Sequence, residues 1–369
     1  MAEIASVYPT AGGQYHWTSI LAPRPYSRVL SYCCGSVNFL GWIANGAGFI
    51  IQMPVIVLSL AAYLDPTGRR GYTTLDALFI SLAGFFVITI TCLARSDRKQ
   101  DTSFVWTTFI NESGWSSSGV VFLTGLLNPN FIYSGLDGAI HLAEECTHAA
   151  SAIPRALLST IIIGFVSAFA FSVAMLYSFT DIEPVLSSPL PILEIWSQAS
   201  GSSAAATVFV LVLTTCGCFA CTGALQTASR LTWSFARDDA VAFSPFLRKV
   251  NGRLGVPVNA LLVNSALVGV LGFVFLGSST AFNALVATGL ILQQVSFAFP
   301  AALALYHRTK GREAFERVLP RRRFRLPRVV GFAANILTVV TGAVALIFYD
   351  FPVVMPVTAS NMSENALSP

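Results

Sequence analysis

Asp137, His141 and Glu144 stand four and then three residues apart, in a stretch where ionisable side chains are otherwise scarce. On a helix that spacing puts all three on one face. A carboxylate, an imidazole and a second carboxylate in that order can hand a proton along, histidine titrating near pH ~6.5. The same three residues fit a structural ion cluster equally well, with Glu144 and Glu145 held by Arg155 or Arg230. Just upstream the chain reads Asn128-Pro129-Asn130 and then Ser134-Gly135. Proline removes a backbone donor and glycine relaxes the backbone, so the helix that begins in the apolar stretch 119–127 should break here. An acid at such a break, at membrane depth, points to a transport site. The plainer reading is a proline kink whose carboxylate pairs with a neighbouring helix.

The elements that must position these residues are membrane spans. Charged residues make up 11% of the 369 residues and hydrophobic ones 54%, against about 25% charge in a soluble domain. The fold class this implies is an all-α multi-span membrane protein. The net charge of +4 is gathered in a few loops, which suggests orientation in a bilayer rather than nucleic acid binding. The seven cysteines fall in apolar runs except Cys146, and the Cys218-Phe219-Ala220-Cys221 spacing has no His or acid beside it. They read as small buried hydrophobes. There is no glycine-rich phosphate loop, catalytic triad or metal-ligand spacing, so no enzyme, cofactor or metal is expected.

In chain order, 1–28 reads as a cytoplasmic N-terminal segment, 29–349 as the transmembrane domain and 350–369 as a polar tail. Val29 to Leu64 carries no charge and reads as one long tilted helix, with Gly41, Gly46 and Gly48 permitting close contact. Further spans are expected at 75–94, 119–143 (the broken one), 156–177, 204–229, 255–277, 280–306 and 329–349, about eight in all. Basic loops 230–253 and 308–328 go to the cytoplasm and the acidic loop 179–203 outside. Counting back places the sequon Asn111-Glu112-Ser113 outside, as glycosylation requires. The count then fails by one crossing between residues 29 and 75. Either the long segment bends back or a span is missing there.

Four stretches carry a resemblance: ASVYPTAGGQYHW (5–17), FINESGWSSSG (109–119), GLDGAIHLAEE (135–145) with IPRALL (153–158), and TASRLTWSFARDDAV (227–241). In this order they resemble the amino acid–polyamine–organocation transporters, specifically the fungal amino-acid, GABA and choline permeases. PVTASNM (356–362) fits as well. The resemblance implies a LeuT-type fold of twelve spans in two inverted repeats. It also implies that this chain holds a partial bundle, lacking family spans one, two, four and twelve. The loss of span four would account for the parity failure.

The resemblance further implies where substrate sits, between the unwound middles of the first and sixth helices. The matching positions here are Phe131, Ile132, Tyr133, Ser134, Gly135 and Asp137. Free backbone groups at the break can bind the charged ends of an amino acid, and Phe131 or Tyr133 can cover a cation. Trp42, Asn45, Thr214, Thr215 and Thr222 are weaker lining candidates, because polar residues in spans often bond back to their own helix. The expected partners are a small-molecule substrate (an amino acid or organic cation such as GABA or choline), a coupling proton and the lipid bilayer, with the plasma membrane as location. The competing expectation is a shortened chain that does not transport, and is inert or modulates the full-length permease.

Overall fold

The computed structural model describes residues 1–48, 70–96, 98–188, 190–352 and 354–356. Among these the regular structure is helical, and β pairing is confined to one isolated bridge between Asn251 and Val256. In chain order the helices used below are α1 (Ala2–Ala5), α2 (Gly13–Leu21), α3 (Ser27–Gly48), α4 (Arg70–Arg95), α5 (Ser118–Gly125), α6 (Leu127–Phe131), α7 (Gly138–His141), α8 (Ala149–Ser178), α9 (Ser203–Arg237), α10 (Val258–Gly277), α11 (Ser279–Thr309), α12 (Arg312–Val318) and α13 (Arg328–Phe348).

Among the described residues, five helical stretches are long and apolar enough to cross a membrane: Ala77–Arg95, Ala149–Ser178, Ser203–Arg237, Ala281–Thr309 and Arg328–Phe348. The other three expected crossings each fall short for a local reason. The one at 119–143 is interrupted, α3 carries Asn38 and Asn45 inside its apolar run, and the apolar stretch in α10 is shorter, Val258–Val274. The long helix expected over 29–64 is described as far as Gly48, and the rest of that segment lies outside the described residues. So do residues 65–69 of the loop 65–74 and the tail beyond residue 356.

The chain divides into two compact units. In the unit formed by 54–110 and 162–222, Ile88 and Cys92 of α4 pack with Ala174, Met175, Trp196, Ala199, Ala206 and Phe209. Trp196 and Phe209 meet edge to face at 5.9 Å. The phenylalanines and branched aliphatics on the far faces, such as Phe86, Ile162 and Phe165, are exposed. Lipid is as apolar as these side chains, so their exposure is the arrangement a membrane helix wants.

The other unit, 1–53 with 111–161 and 223–369, holds the broken segment together with Trp42 and Asn45, whereas Thr214, Thr215 and Thr222 belong to the first unit. In it α3 and α11 cross at close range. An added Cβ at Gly41 would come within 3.2 Å of the backbone of Gly289 and Gln293, and one at Gly289 within 2.7 Å of Asn45 N. Without a hydrophobic driving force between helices in lipid, such backbone approach supplies the packing that holds a pair together. Here it also brings the polar groups of the two helices into range of each other.

The N-terminal segment, expected on the cytoplasmic side, is packed into this unit. Ile4, Ala5, Trp17 and Leu21 are buried with Ile140, Ala143, Ile153, Leu157, Ala304, Phe315 and Leu319 in one cluster. Several of its polar groups are used internally. Glu3, buried, binds Arg308 and Arg322, and the N–H of Leu326 donates to it. Both guanidinium groups lie over the Phe315 ring, at 4.0 and 4.7 Å. Part of the basic run 321–325 is therefore spoken for inside the protein rather than turned to lipid headgroups.

Candidate functional site

The break is real, and its geometry follows from its residues. α5 and α6 are separated at Leu126, and after Phe131 the chain continues through 132–137 as successive three-residue turns. Their amides bond to carbonyls three residues back, from Ile132 to Pro129, Tyr133 to Asn130, Ser134 to Phe131 and Gly138 to Gly135. Gly135 has φ +82°, and an added Cβ there would lie 3.3 Å from the Trp42 ring. A glycine is needed on both counts. The segment is pinned at its outer end by Asn130, which meets the Tyr349 hydroxyl and accepts from Gln294 Nε2 at 3.2 Å.

Immediately after the break sits Asp137, with no solvent exposure. Its Oδ2 accepts from Gln14 Nε2 at 2.7 Å and Trp42 Nε1 at 3.2 Å, and lies 3.2 Å from His141 Nε2. Its Oδ1 accepts from Gln293 Nε2 at 3.1 Å. Three helices besides its own (α2, α3 and α11) therefore supply donors to one carboxylate. A buried charge requires such a shell.

His141, equally buried, shows where a proton belongs. Its Nδ1 is 2.8 Å from the carbonyl of Ala11, which only accepts, so Nδ1 carries a hydrogen. Nε2 then faces Oδ2 of Asp137 with either a lone pair or a second hydrogen. Two acceptors at 3.2 Å repel, so the contact is favourable only with a proton between them. Asn38 Nδ2, 3.3 Å from both His141 Nε2 and Gln14 Oε1, closes the ring of contacts. The arrangement is a fully buried carboxylate–imidazole pair immediately after a helix break.

Gln293 joins the two. While its Nε2 serves Asp137, its Oε1 accepts from Asn45 Nδ2 at 3.2 Å, the Gly135 N–H at 3.4 Å and the Ser134 hydroxyl at 3.5 Å. Its side chain, 1% exposed, thus touches both the acid and the unwound backbone.

The sequence-predicted residues divide accordingly. Phe131, Tyr133, Ser134 and Gly135 line the break half-buried, and Ile132 is 51% exposed. Phe131 packs toward the cluster of Leu290, Ile291, Ala345 and Tyr349. The expected helical ladder from Asp137 through His141 to Glu144 is not continuous. α7 lasts four residues and gives way to a 3-10 turn over Ala143–Glu145. Glu144 reaches the same residue through the neighbouring peptide, accepting from Ala11 N at 3.1 Å while His141 uses Ala11 O. Its ion partner is Arg237, and Arg230 takes Glu145, whereas Arg155 takes neither. Burial would raise the Glu144 carboxyl, but the Arg237 pair and the Ala11 amide outweigh it, and the result is below the ordinary carboxylate value. Thr214, Thr215 and Thr222 bond back to carbonyls four residues earlier.

Sequence reasoning missed Gln14, Asn38 and Gln293. A signal was present for Gln293, since Gln293-Gln294 is a polar pair inside an otherwise apolar span, and both members bind the broken segment. Gln14 was hidden by its place in a stretch read as a cytoplasmic leader.

Residues 71–365 match the model of a family described as amino acid permease. Over 98% of its length the chain is 35% identical to a choline transporter of Saccharomyces cerevisiae, covering 68% of that protein. It is 30% identical to a putative amino acid/polyamine transporter of Macrophomina phaseolina, of which it covers 85%. To an amino-acid permease of Arabidopsis thaliana it is 28% identical, covering 77%. The first alignment runs over 393 positions, more than the 369 residues of this chain, so that relative carries residues within the matched region that this chain lacks.

Proposed function

Because this chain belongs to the amino acid permease family, we propose that it is a proton-coupled permease whose proton site is the buried Asp137–His141 pair and whose substrate binds at the break from Phe131 to Gly135. The observation that carries the reading is the hydrogen-bond arithmetic of His141. With Nδ1–H committed to the Ala11 carbonyl, the 3.2 Å gap between Nε2 and Asp137 Oδ2 is a place for one proton. Solvent does not reach it, so that proton arrives or leaves when the surrounding helices open.

The substrate class is an amino acid or a related organic cation, choline and GABA included. The aromatics at the break favour a cationic group. Phe131 and Tyr133 belong to the unwound segment and the Trp42 ring lies against Gly135. An ammonium or quaternary nitrogen over such faces gains about 0.5–2 kcal/mol. Residual amide and carbonyl groups of the turns serve a carboxylate or hydroxyl. The name of the yeast relative agrees with a choline-like cation. The plasma membrane is the site of action that this uptake role requires.

The test is uptake of radiolabelled choline, GABA and amino acids by yeast lacking its own permeases, with an inward proton gradient and with a protonophore. The expected result is gradient-dependent uptake of one of these classes, with the pH dependence lost in Asp137→Asn. Absence of uptake by a chain that has reached the plasma membrane would overturn the proposal in favour of a non-transporting relative of the permeases.

A further inference from the structure

We infer that Gln293 is the positioning residue that couples the protonation of Asp137 to the conformation of the substrate-binding break; this rests on the reading of Asp137–His141 as the proton site. The amide of Gln293 is a two-ended reader. Its Nε2 donates to Asp137 Oδ1, and its Oε1 accepts from the Gly135 N–H, the Ser134 hydroxyl and the Asn45 amide. The two ends are not independent, because an amide cannot present an oxygen to both sides.

While Oδ1 is a bare acceptor, it demands the Nε2 hydrogen, and the oxygen of Gln293 is thereby aimed at the break. A further proton on the pair turns Oδ1 into a hydroxyl, which needs an acceptor. Gln293 satisfies it by turning over and offering Oε1. The NH2 group then faces the Gly135 N–H and the Asn45 Nδ2, donor against donor, and both lose their partner. Protonation thus releases the unwound segment from α11 and α3. Deprotonation returns the amide and clamps it again. The Gln293 side chain is 1% exposed, with Asp137 at one end and the Gly135 and Asn45 donors at the other.

The titrating groups in this switch are well defined. His141 lies on the same segment as Asp137. The groups offered to the carboxylate by α2, α3 and α11 are Gln14, Trp42 and Gln293, none of which titrates, and Asn38 beside His141 does not either. The next charged pair, Glu144 with Arg237, is separated from His141 by the Ala11 backbone, whose N–H serves Glu144 and whose carbonyl serves His141.

The experiment uses the full chain in lipid nanodiscs carrying Ser134→Cys, with maleimide labelling at that position resolved by mass spectrometry. Labelling of the exposed Cys146 corrects for the pH dependence of thiol chemistry itself. Between about pH 8 and about pH 5 the corrected rate at position 134 should rise about fivefold, the factor that one lost hydrogen bond gives. Gln293→Met, which can neither donate nor accept in this way, should label fast at every pH. Gln293→Glu should reverse the slope, because two facing carboxylates repel at high pH, while at low pH a single proton shared between the introduced carboxyl and Oδ1 takes the place of the amide hydrogen and restores both contacts. Asp137→Asn should be flat.

If Asp137→Asn keeps the parent slope, the proton-site reading fails. If Asp137→Asn is flat but Gln293→Met keeps the parent slope, the coupling role of Gln293 is overturned and the proton site stands. A flat parent also overturns the coupling. The proton site is then judged separately by the pH dependence of Trp42 emission, which Asp137→Asn should abolish. Should Gln293→Met elute as aggregate, the reversed slope of Gln293→Glu decides the matter alone.

Discussion

Replacing Gly289 by alanine tests the helix crossing on which the site depends. A methyl group there would sit 2.7 Å from Asn45 N, and 2.9 Å from both Ala44 Cβ and Asn45 Oδ1. Ordinary contact begins at 3.4 Å, so α3 and α11 must part by about 0.7 Å. The 3.2 Å bond from Asn45 to Gln293 does not survive that displacement. Against the change stand about 1–3 kcal/mol of overpacking and about 1 kcal/mol for the lost bond. In its favour stands about 0.5–1 kcal/mol from alanine's better helix propensity. The net loss is about 1–3 kcal/mol, or a fall in melting temperature on the order of 5 °C. Gly269 of α10 is the control, since an added Cβ there meets nothing within 4 Å. Gly269→Ala should therefore gain about 0.5–1 kcal/mol. Melting of both variants in detergent, followed by size-exclusion chromatography after heating, gives the comparison. If Gly289→Ala melts at or above the parent temperature, the close backbone crossing is wrong.

Glu3→Gln should lower the melting temperature by more than Gly289→Ala does. It leaves Arg308 and Arg322 facing each other without their shared carboxylate, and breaking a buried pair costs about 3–5 kcal/mol. Trp42→Phe removes one donor from Asp137 while keeping the ring against Gly135, and should cost about 1.5–3 kcal/mol in the same assay. The pH dependence of melting has a worked sign. Glu144 is held below its ordinary value, so its contribution is full above the unfolded carboxylate range and is lost as pH falls through the lowered folded value. Burial pushes His16 down, so the unfolded chain binds its proton first and stability falls as pH drops below about 6.5. Glu144→Gln and His16→Phe should each flatten the corresponding part of the melting curve. Finally, Ser113→Ala should abolish an endoglycosidase-sensitive mobility shift, which would confirm that Asn111 faces outside.

The helices were largely legible because membrane spans announce themselves by hydropathy alone. Residues 156–177 fall inside Ala149–Ser178, and 329–349 matches Arg328–Phe348 to within one residue at each end, for that reason. The break was legible because Pro129 and Gly135 act on the backbone they occupy, whatever surrounds them. What a hydropathy reading cannot see is a polar segment that buries its polarity. Residues 1–21 look like a solvated leader, yet Gln14 and Thr18 are fully buried, and the hydroxyl of Thr18 is spent on the Gln14 carbonyl four residues back. The ladder from Asp137 to Glu144 went astray for the opposite reason. It assumed a helix that resumes, whereas the chain turns after His141 and lets Glu144 come back to Ala11 from another direction.

The site's donors could have been found by asking what Asp137 needs. A carboxylate buried at membrane depth must receive several hydrogen bonds, and its own unwound segment supplies none of the side-chain donors it uses. Those donors have to come from uncharged polar residues inside other spans, where each is itself expensive to bury. In the apolar helices of this chain that test returns a short list, Asn38, Asn45, Gln293 and Gln294 together with Gln226, Asn259, Asn264, Asn283 and Asn335. Trp42 qualifies by its indole N–H. The structure ranks them, because among the described residues Gln293 is the one whose side chain is hydrogen-bonded both to the acid and to the broken backbone, so on the proposed mechanism its loss should uncouple the two.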